Sequence, residues 1–270
     1  MQCVSRRLAL GLALAALLLP SSPGAIDRGA DGKFEERRTV HFRLLQDVDI
    51  DQVTGPNGSR RFEREVTEAL EDAYRRVHKT LDIRPRSRVD VLIYDPGVFE
   101  QSYGAQFRFR AAGFYDGVIH VRGNTRVDRP LLQTLHHEYF HAALDAVAGR
   151  GRVPAWLNEG LAEYFEDLAI GKQGLSSGEH AYLARANRLD AWLPMTTLSQ
   201  PSFAGLDQDA ATLAYLQSYA MVVHLVREHG ERRLRSFMRQ LTRGSNVQWL
   251  LKREYRVTLD ELEANVRAEL

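Results

Sequence analysis

Five consecutive residues, His137-Glu138-Tyr139-Phe140-His141, place two imidazoles four positions apart with a carboxylate beside the first. On a helix that spacing stacks the histidines on one face, one turn apart, so both rings can reach a single cation. A zinc ion held in this way needs a third protein ligand and an open position for water. Glu159, in the run Trp156-Leu157-Asn158-Glu159-Gly160-Leu161-Ala162-Glu163-Tyr164, offers the carboxylate. Such a set suits hydrolysis by a metal-activated water, with Glu138 as the general base.

The histidines must ride on a helix, and the flanking residues specify one. Asp128 is a capping residue, Pro130 suits the first turn, Leu131 to Val147 contains no breaker, and Gly149 ends the run. Pro154 opens a second helix whose Leu157, Leu161, Tyr164 or Phe165, and Leu168 make an apolar face, with Glu159 and Glu163 four apart on another. A hairpin of these helices would bring Glu159 over the histidines. His136 points about 100° away from His137 and is a poor ligand for the same ion. Asp145 lies one turn beyond His141, where an ion pair with Arg150 or Arg152 explains it equally well, and Trp156 reads as packing.

H-E-Y-F-H followed by W-L-N-E-G-L-A-E-Y resembles the gluzincin metallopeptidases, and in particular the small bacterial proteins called peptidase MA-like. The remainder of the chain matches them only in its order of strands and helices. The resemblance implies an α+β, thermolysin-like fold, Zn2+ as cofactor, and a peptide or protein substrate. In thermolysin-like enzymes the residue just before the third ligand and the acid four after it support the metal-binding imidazoles. Carried over, Asn158 would support His141 and Glu163 would support His137; a helix cap and a solvated acid are the other readings of these two residues.

Aminopeptidase-like gluzincins carry a Y-x-K-G helix whose tyrosine hydroxyl stabilises the oxyanion. Tyr215-Leu216-Gln217-Ser218-Tyr219-Ala220 resembles it, which makes Tyr215 the first choice and Tyr219 the second, packing being the alternative for both. His224 is a further donor without motif support. Aminopeptidase-N-like members also carry a glycine-rich strand with a glutamate that holds the substrate amine. The matching segment here, Gly113 to Val121, has Phe114 near that position, which argues against that type of exopeptidase. Asp116 reads as a turn residue and His120 as an ordinary strand side chain.

Upstream, Arg6 and Arg7, the apolar run Leu8 to Leu19, and Pro20-Ser21-Ser22-Pro23-Gly24-Ala25 read as a secretory signal peptide, residues 1–25, with an uncleaved anchor as the alternative. This implies an exported chain, periplasmic or secreted, with no integral membrane span after cleavage. Residues 26–38, rich in charge, read as a flexible leader. The only cysteine, Cys3, precedes the cleavage point, so the mature chain has neither a disulfide nor a thiol ligand. With a net charge of +1 and 26% charged residues, no nucleic-acid footprint is present.

Residues 39–270 read as one metallopeptidase domain, a sheet lobe of about 39–127 and a helical lobe of about 128–270. Strands are expected at Thr39 to Leu45, Arg88 to Tyr94 and Gly117 to Arg122, and a helix at Phe62 to Leu81. By resemblance, an edge strand along the cleft would bind an extended peptide. Helices are expected from Tyr215 through Val226, at Glu231 to Thr242, at Val247 to Glu254 and at Leu259 to Leu270, the last capped by Thr258; Gly171 to Gly178 and Pro194 to Gly205 read as loops. Two alternatives accompany the peptidase reading: an exported peptide-binding module that keeps the fold without turnover, and a helix that holds no metal.

Overall fold

The computed structural model describes residues 34–48, 50–104, 112–149 and 153–270. The signal peptide and most of the leader lie outside the described residues, as do Arg150 and Arg152.

Strands β1 (Glu35–Arg38), β2 (Phe42–Asp47), β3 (Val89–Tyr94), β4 (Gly113–Tyr115) and β5 (Ile119–Arg122) form one mixed sheet in the order β1-β2-β3-β5-β4. The central strands β2, β3 and β5 are parallel, with Phe42 beside Val89 and Val91 beside Ile119; β1 and β4 are antiparallel edges. Alternating burial in β2 puts Phe42 and Leu44 into the core, as a sheet covered by helices requires.

The short α1 (Asp51–Thr54) leads into α2 (Gly58–Leu81), whose Phe62, Val66, Leu70, Ala73 and Val77 recur at helical spacing and are buried against α4 (Arg129–Ala148). Asp95 caps α3 (Pro96–Tyr103). The helical lobe follows as α5 (Ala155–Ala169), α6 (Ser177–Arg188), α7 (Met195–Leu198), α8 (Gln208–His229), α9 (Glu231–Leu241), α10 (Val247–Leu250), a π turn (Leu251–Tyr255) and α11 (Leu259–Ala268). One continuous apolar core runs from Phe42 of the sheet through α4 to Val266 of α11. The α+β class and the small mixed sheet ahead of a helical lobe are those expected. No helix among the described residues is long and apolar enough to cross a membrane.

Order begins earlier than Thr39. Glu35 to Arg38, assigned from the sequence to a flexible leader, pair with β2, and Arg37 meets Glu63 of α2 at 3.0 Å. All four residues of β1 are exposed, so the strand has no apolar alternation and its composition reads as a solvated leader. Thr39 instead belongs to the turn, its hydroxyl on Glu71 at 2.8 Å. Within the expected loops, Ser176 and Glu179 form a capping box that starts α6, and α7 occupies part of Pro194 to Gly205.

Candidate metal centre

Helix α4 starts where the Asp128 carboxylate accepts from Leu131 N at 3.0 Å and ends at Gly149, whose φ of 80° suits glycine. It is buried on most of its circumference, and so are His137, Glu138 and His141, each at most 5% exposed. Helix α5 packs on both α4 and α8. At Gly160 a β-carbon would lie 2.4 Å from the carbonyl oxygen of Ser218, so only glycine permits the approach that α5 and α8 make there.

That packing sets Glu159 over the histidines. Its Oε2 lies 3.6 Å from His137 Nε2 and 3.4 Å from His141 Nε2. All three atoms are buried without a hydrogen-bond partner among the described residues, as is Oε2 of Glu138. Buried polar atoms are normally paired, so four orphans in one place call for a missing partner. A tetrahedral ion about 2.0–2.2 Å from each ligand would hold such atoms about 3.3 Å apart, close to the separations found. The residues present therefore fit a zinc-sized cation.

The outer nitrogens are tied down. His141 Nδ1 donates to Asn158 Oδ1 at 3.1 Å, and His137 Nδ1 to Glu166 Oε2 at 3.2 Å, while Gln133 Nε2 donates to the other Glu166 oxygen at 2.9 Å. With Nδ1 of each ring engaged in this way, both Nε2 atoms face Glu159. The sequence reading gave the His137 contact to Glu163, and the geometry corrects it to Glu166. Seven residues on a helix return to within about 20° of the starting direction, whereas four overshoot by about 40°, so Glu166 keeps the bearing of Glu159 better than Glu163 does. That i, i+7 relation was available in the sequence. Burial, with the Glu166 and Asp167 charges nearby, pushes the Glu163 carboxyl well up.

Charge within the pocket is similarly arranged. Burial works to raise the Glu159 carboxyl, but the His141 and His137 imidazoles outweigh it and hold the group down to about 2. Burial raises the Glu138 carboxyl, which the imidazoles only partly offset. His137 is pushed above the usual imidazole range because Glu159 and Glu166 outweigh its burial.

Of the two tyrosines, Tyr215 on α8 is buried; burial first, then the charge of the Glu159 carboxylate, keep its phenol protonated. Tyr219 turns elsewhere, accepting from Gly174 N at 3.2 Å and engaging Asp167, with the Lys172 ammonium over its ring. His136 faces α2, where its Nε2 lies 3.3 Å from Asp72. Asp145 accepts from Tyr115 of β4 at 2.8 Å, and His224 meets Glu269 at 2.8 Å. Trp156 is fully buried. Phe114 stacks on His120, which is more than an ordinary strand side chain, since it also contacts Tyr94 and Asp116 at 2.9 and 3.1 Å. Edge strand β4 packs against α4, the motif helix, as does its neighbour β5.

The sequence model of the Peptidase MA superfamily matches residues 69–270. Among solved structures, the chain is similar to the crystal structure of M1 zinc metallopeptidase from Deinococcus radiodurans, with a TM-score of 0.50 and 18% identity over 88% of this chain and 52% of that one. A mutant form of the same enzyme gives a TM-score of 0.48 at the same identity and the same coverage of both chains. The chain thus spans about half the length of these structures, and at this identity the likeness speaks for the fold alone. No curated protein matches the chain.

Proposed function

The chain belongs to the Peptidase MA superfamily, and on that footing we propose that it is a zinc-dependent peptidase that hydrolyses peptide bonds with a metal-activated water. The observation that carries this reading is the convergence of His137 Nε2, His141 Nε2 and Glu159 Oε2, all buried and unpartnered, beside the equally unpartnered Glu138 carboxyl.

His137, His141 and Glu159 would hold the ion. Bound zinc supplies a Lewis acid and lowers the pKa of a coordinated water toward neutrality. Glu138, its carboxyl raised by burial, takes the water proton at Oε2 and passes it to the leaving nitrogen. Tyr215, buried and kept protonated, donates its hydroxyl hydrogen to the oxyanion that develops on the carbonyl. Asn158 and Glu166 fix the two rings through Nδ1 and so aim both Nε2 lone pairs at one point. Glu163 stays beside this pair as an acid shifted toward its neutral form.

Elemental analysis of purified protein tests the reading directly. Wild type should carry about one zinc per chain and Glu159→Ala far less. Glu138→Gln should keep the metal yet lose hydrolysis of a broad peptide library by several orders of magnitude. Wild-type protein that holds zinc and peptides without turnover would support the binding-module alternative instead, and protein that takes up no zinc on reconstitution would remove the assignment.

A further inference from the structure

On the side of α4 away from the histidines, a cavity of about 610 Å³ opens where β2 and β3 begin. Its volume falls within the range of small-molecule sites. Tyr139 lies two residues from each motif histidine, so at 100° per residue it leaves the helix on the opposite side. There, with Tyr74, it forms an aromatic wall, and Tyr139 packs edge-on against Phe42. Tyr139 is fully buried, and its hydroxyl has no hydrogen-bond partner among the described residues.

Around these rings stand Arg38, Arg43, Arg86 and Arg88. Glu36 is shared between Arg38 and Arg43, and Asp90 lies 3.6 Å from Arg43. Arg88 donates Nε to the carbonyl of Thr39, and Arg86 pairs with no carboxylate among the described residues. Arg43 Nε is buried and lies 3.3 Å from Glu36 Oε1. His41 stacks on Tyr74 at 3.5 Å and is held through Nδ1 by Glu71 at 2.6 Å. Four guanidinium groups thus stand near three carboxylates, Glu36, Asp90 and Glu71, the last engaged by His41, which leaves a small excess of positive charge beside an aromatic surface. Val40, 76% exposed, adds an apolar lip.

Fork-shaped donors beside aromatic faces select a planar anion carried on an apolar body. We propose that this cavity binds a small organic carboxylate with an aromatic or alkyl body, its carboxylate between Arg86 and Arg88 and its body against Tyr74. The ligand would sit against the back of the helix that carries the histidines.

Calorimetric titration of the full chain with 3-phenylpropionate, its neutral amide and inorganic phosphate tests this. Saturable one-site binding of the carboxylate is expected, weaker by about tenfold or more for the amide and for Arg86→Glu, whose side chain is exposed and unpaired. Tyr74→Leu, which removes the aromatic face, should weaken binding while circular dichroism and Tm show a folded protein. Glu159→Ala should bind the carboxylate as wild type does, which separates this cavity from carboxylate capture at the candidate metal centre. No saturable binding, equal binding by Arg86→Glu, loss in Glu159→Ala, or phosphate binding as tight as the carboxylate would each overturn the proposal.

Discussion

Replacing Gly160 by alanine tests how α5 is set against α8, and with it the position of Glu159. The added β-carbon would meet the Ser218 carbonyl oxygen at 2.4 Å, the carbonyl carbon at 2.7 Å and Val222 Cγ2 at 2.9 Å. Two of these three atoms are backbone, so no rotamer change relieves them, and the helices must part by more than half an ångström to bring the 2.4 Å contact out to 3.0 Å. Overpacking of this kind costs about 1–3 kcal/mol, while alanine gains up to about 1 kcal/mol of helix propensity over glycine. A net loss of about 1–2 kcal/mol is therefore expected in urea or guanidinium unfolding. Gly178→Ala, on α6 with open space around it, provides the contrast and should be neutral or slightly stabilising. Because Glu159 adjoins Gly160 and Tyr215 stands one turn before Tyr219 on α8, zinc affinity should fall with stability. A Gly160→Ala protein as stable as wild type would refute the close approach, and one that loses stability but keeps full zinc affinity would refute its link to Glu159.

The other predictions concern single side chains. Glu166→Ala removes the acceptor of His137 Nδ1 and should weaken zinc binding about 10–100-fold in competition with a chelator; unchanged affinity would show that the ring is held otherwise. Tyr215→Phe should lower kcat/KM roughly 10²–10³-fold at unchanged metal content, whereas Tyr219→Phe should cost about 1 kcal/mol of stability and leave turnover intact; the reverse pattern would reassign the oxyanion donor. The His136 imidazole, and Arg76 against the effect of burial, hold the Asp72 carboxyl well below the usual carboxylate range. A depressed folded-state value contributes stability above the unfolded pKa, which is lost as pH falls. Asp72→Asn should thus be less stable than wild type by about 1 kcal/mol at pH 7, a figure reduced because Asp72 is partly exposed, and the gap should close below about pH 4. A gap that stays constant with pH would exclude the charge as its source.

What could be read in the sequence was what depends on spacing within one helix. Asp128, Pro130 and Gly149 mark the ends of α4, and an i, i+4 pair of histidines must share a face of it whatever surrounds them. The nearness of Glu159 was a reasoned step, since a short link between two helices leaves few ways to pack them. The choice between Glu163 and Glu166 turns on tens of degrees of helical phase, which the thermolysin-like pattern of an acid four residues after the third ligand does not resolve in this chain. Strand β1 escaped notice because its Glu35-Glu36-Arg37-Arg38 sequence carries no apolar face, and pairing with β2 is a tertiary event. The arginine-lined cavity drew its residues from the β1–β2 turn, the approach to β3, α2 and α4, and no local pattern announces such a gathering.

All the candidate ligand atoms lie between residues 137 and 159, on two successive helices. A cradle of such low contact order draws all its ligands from one local hairpin, whereas Tyr215 arrives from 56 residues further along the chain. A cation captured there would close a loop of about 18 residues, worth about 3 kcal/mol if it restrained the unfolded chain as a covalent crosslink does. A bound ion would thus staple one local helical hairpin, while α8, whose close approach at Gly160 fixes where α5 sits, brings Tyr215 from far along the chain.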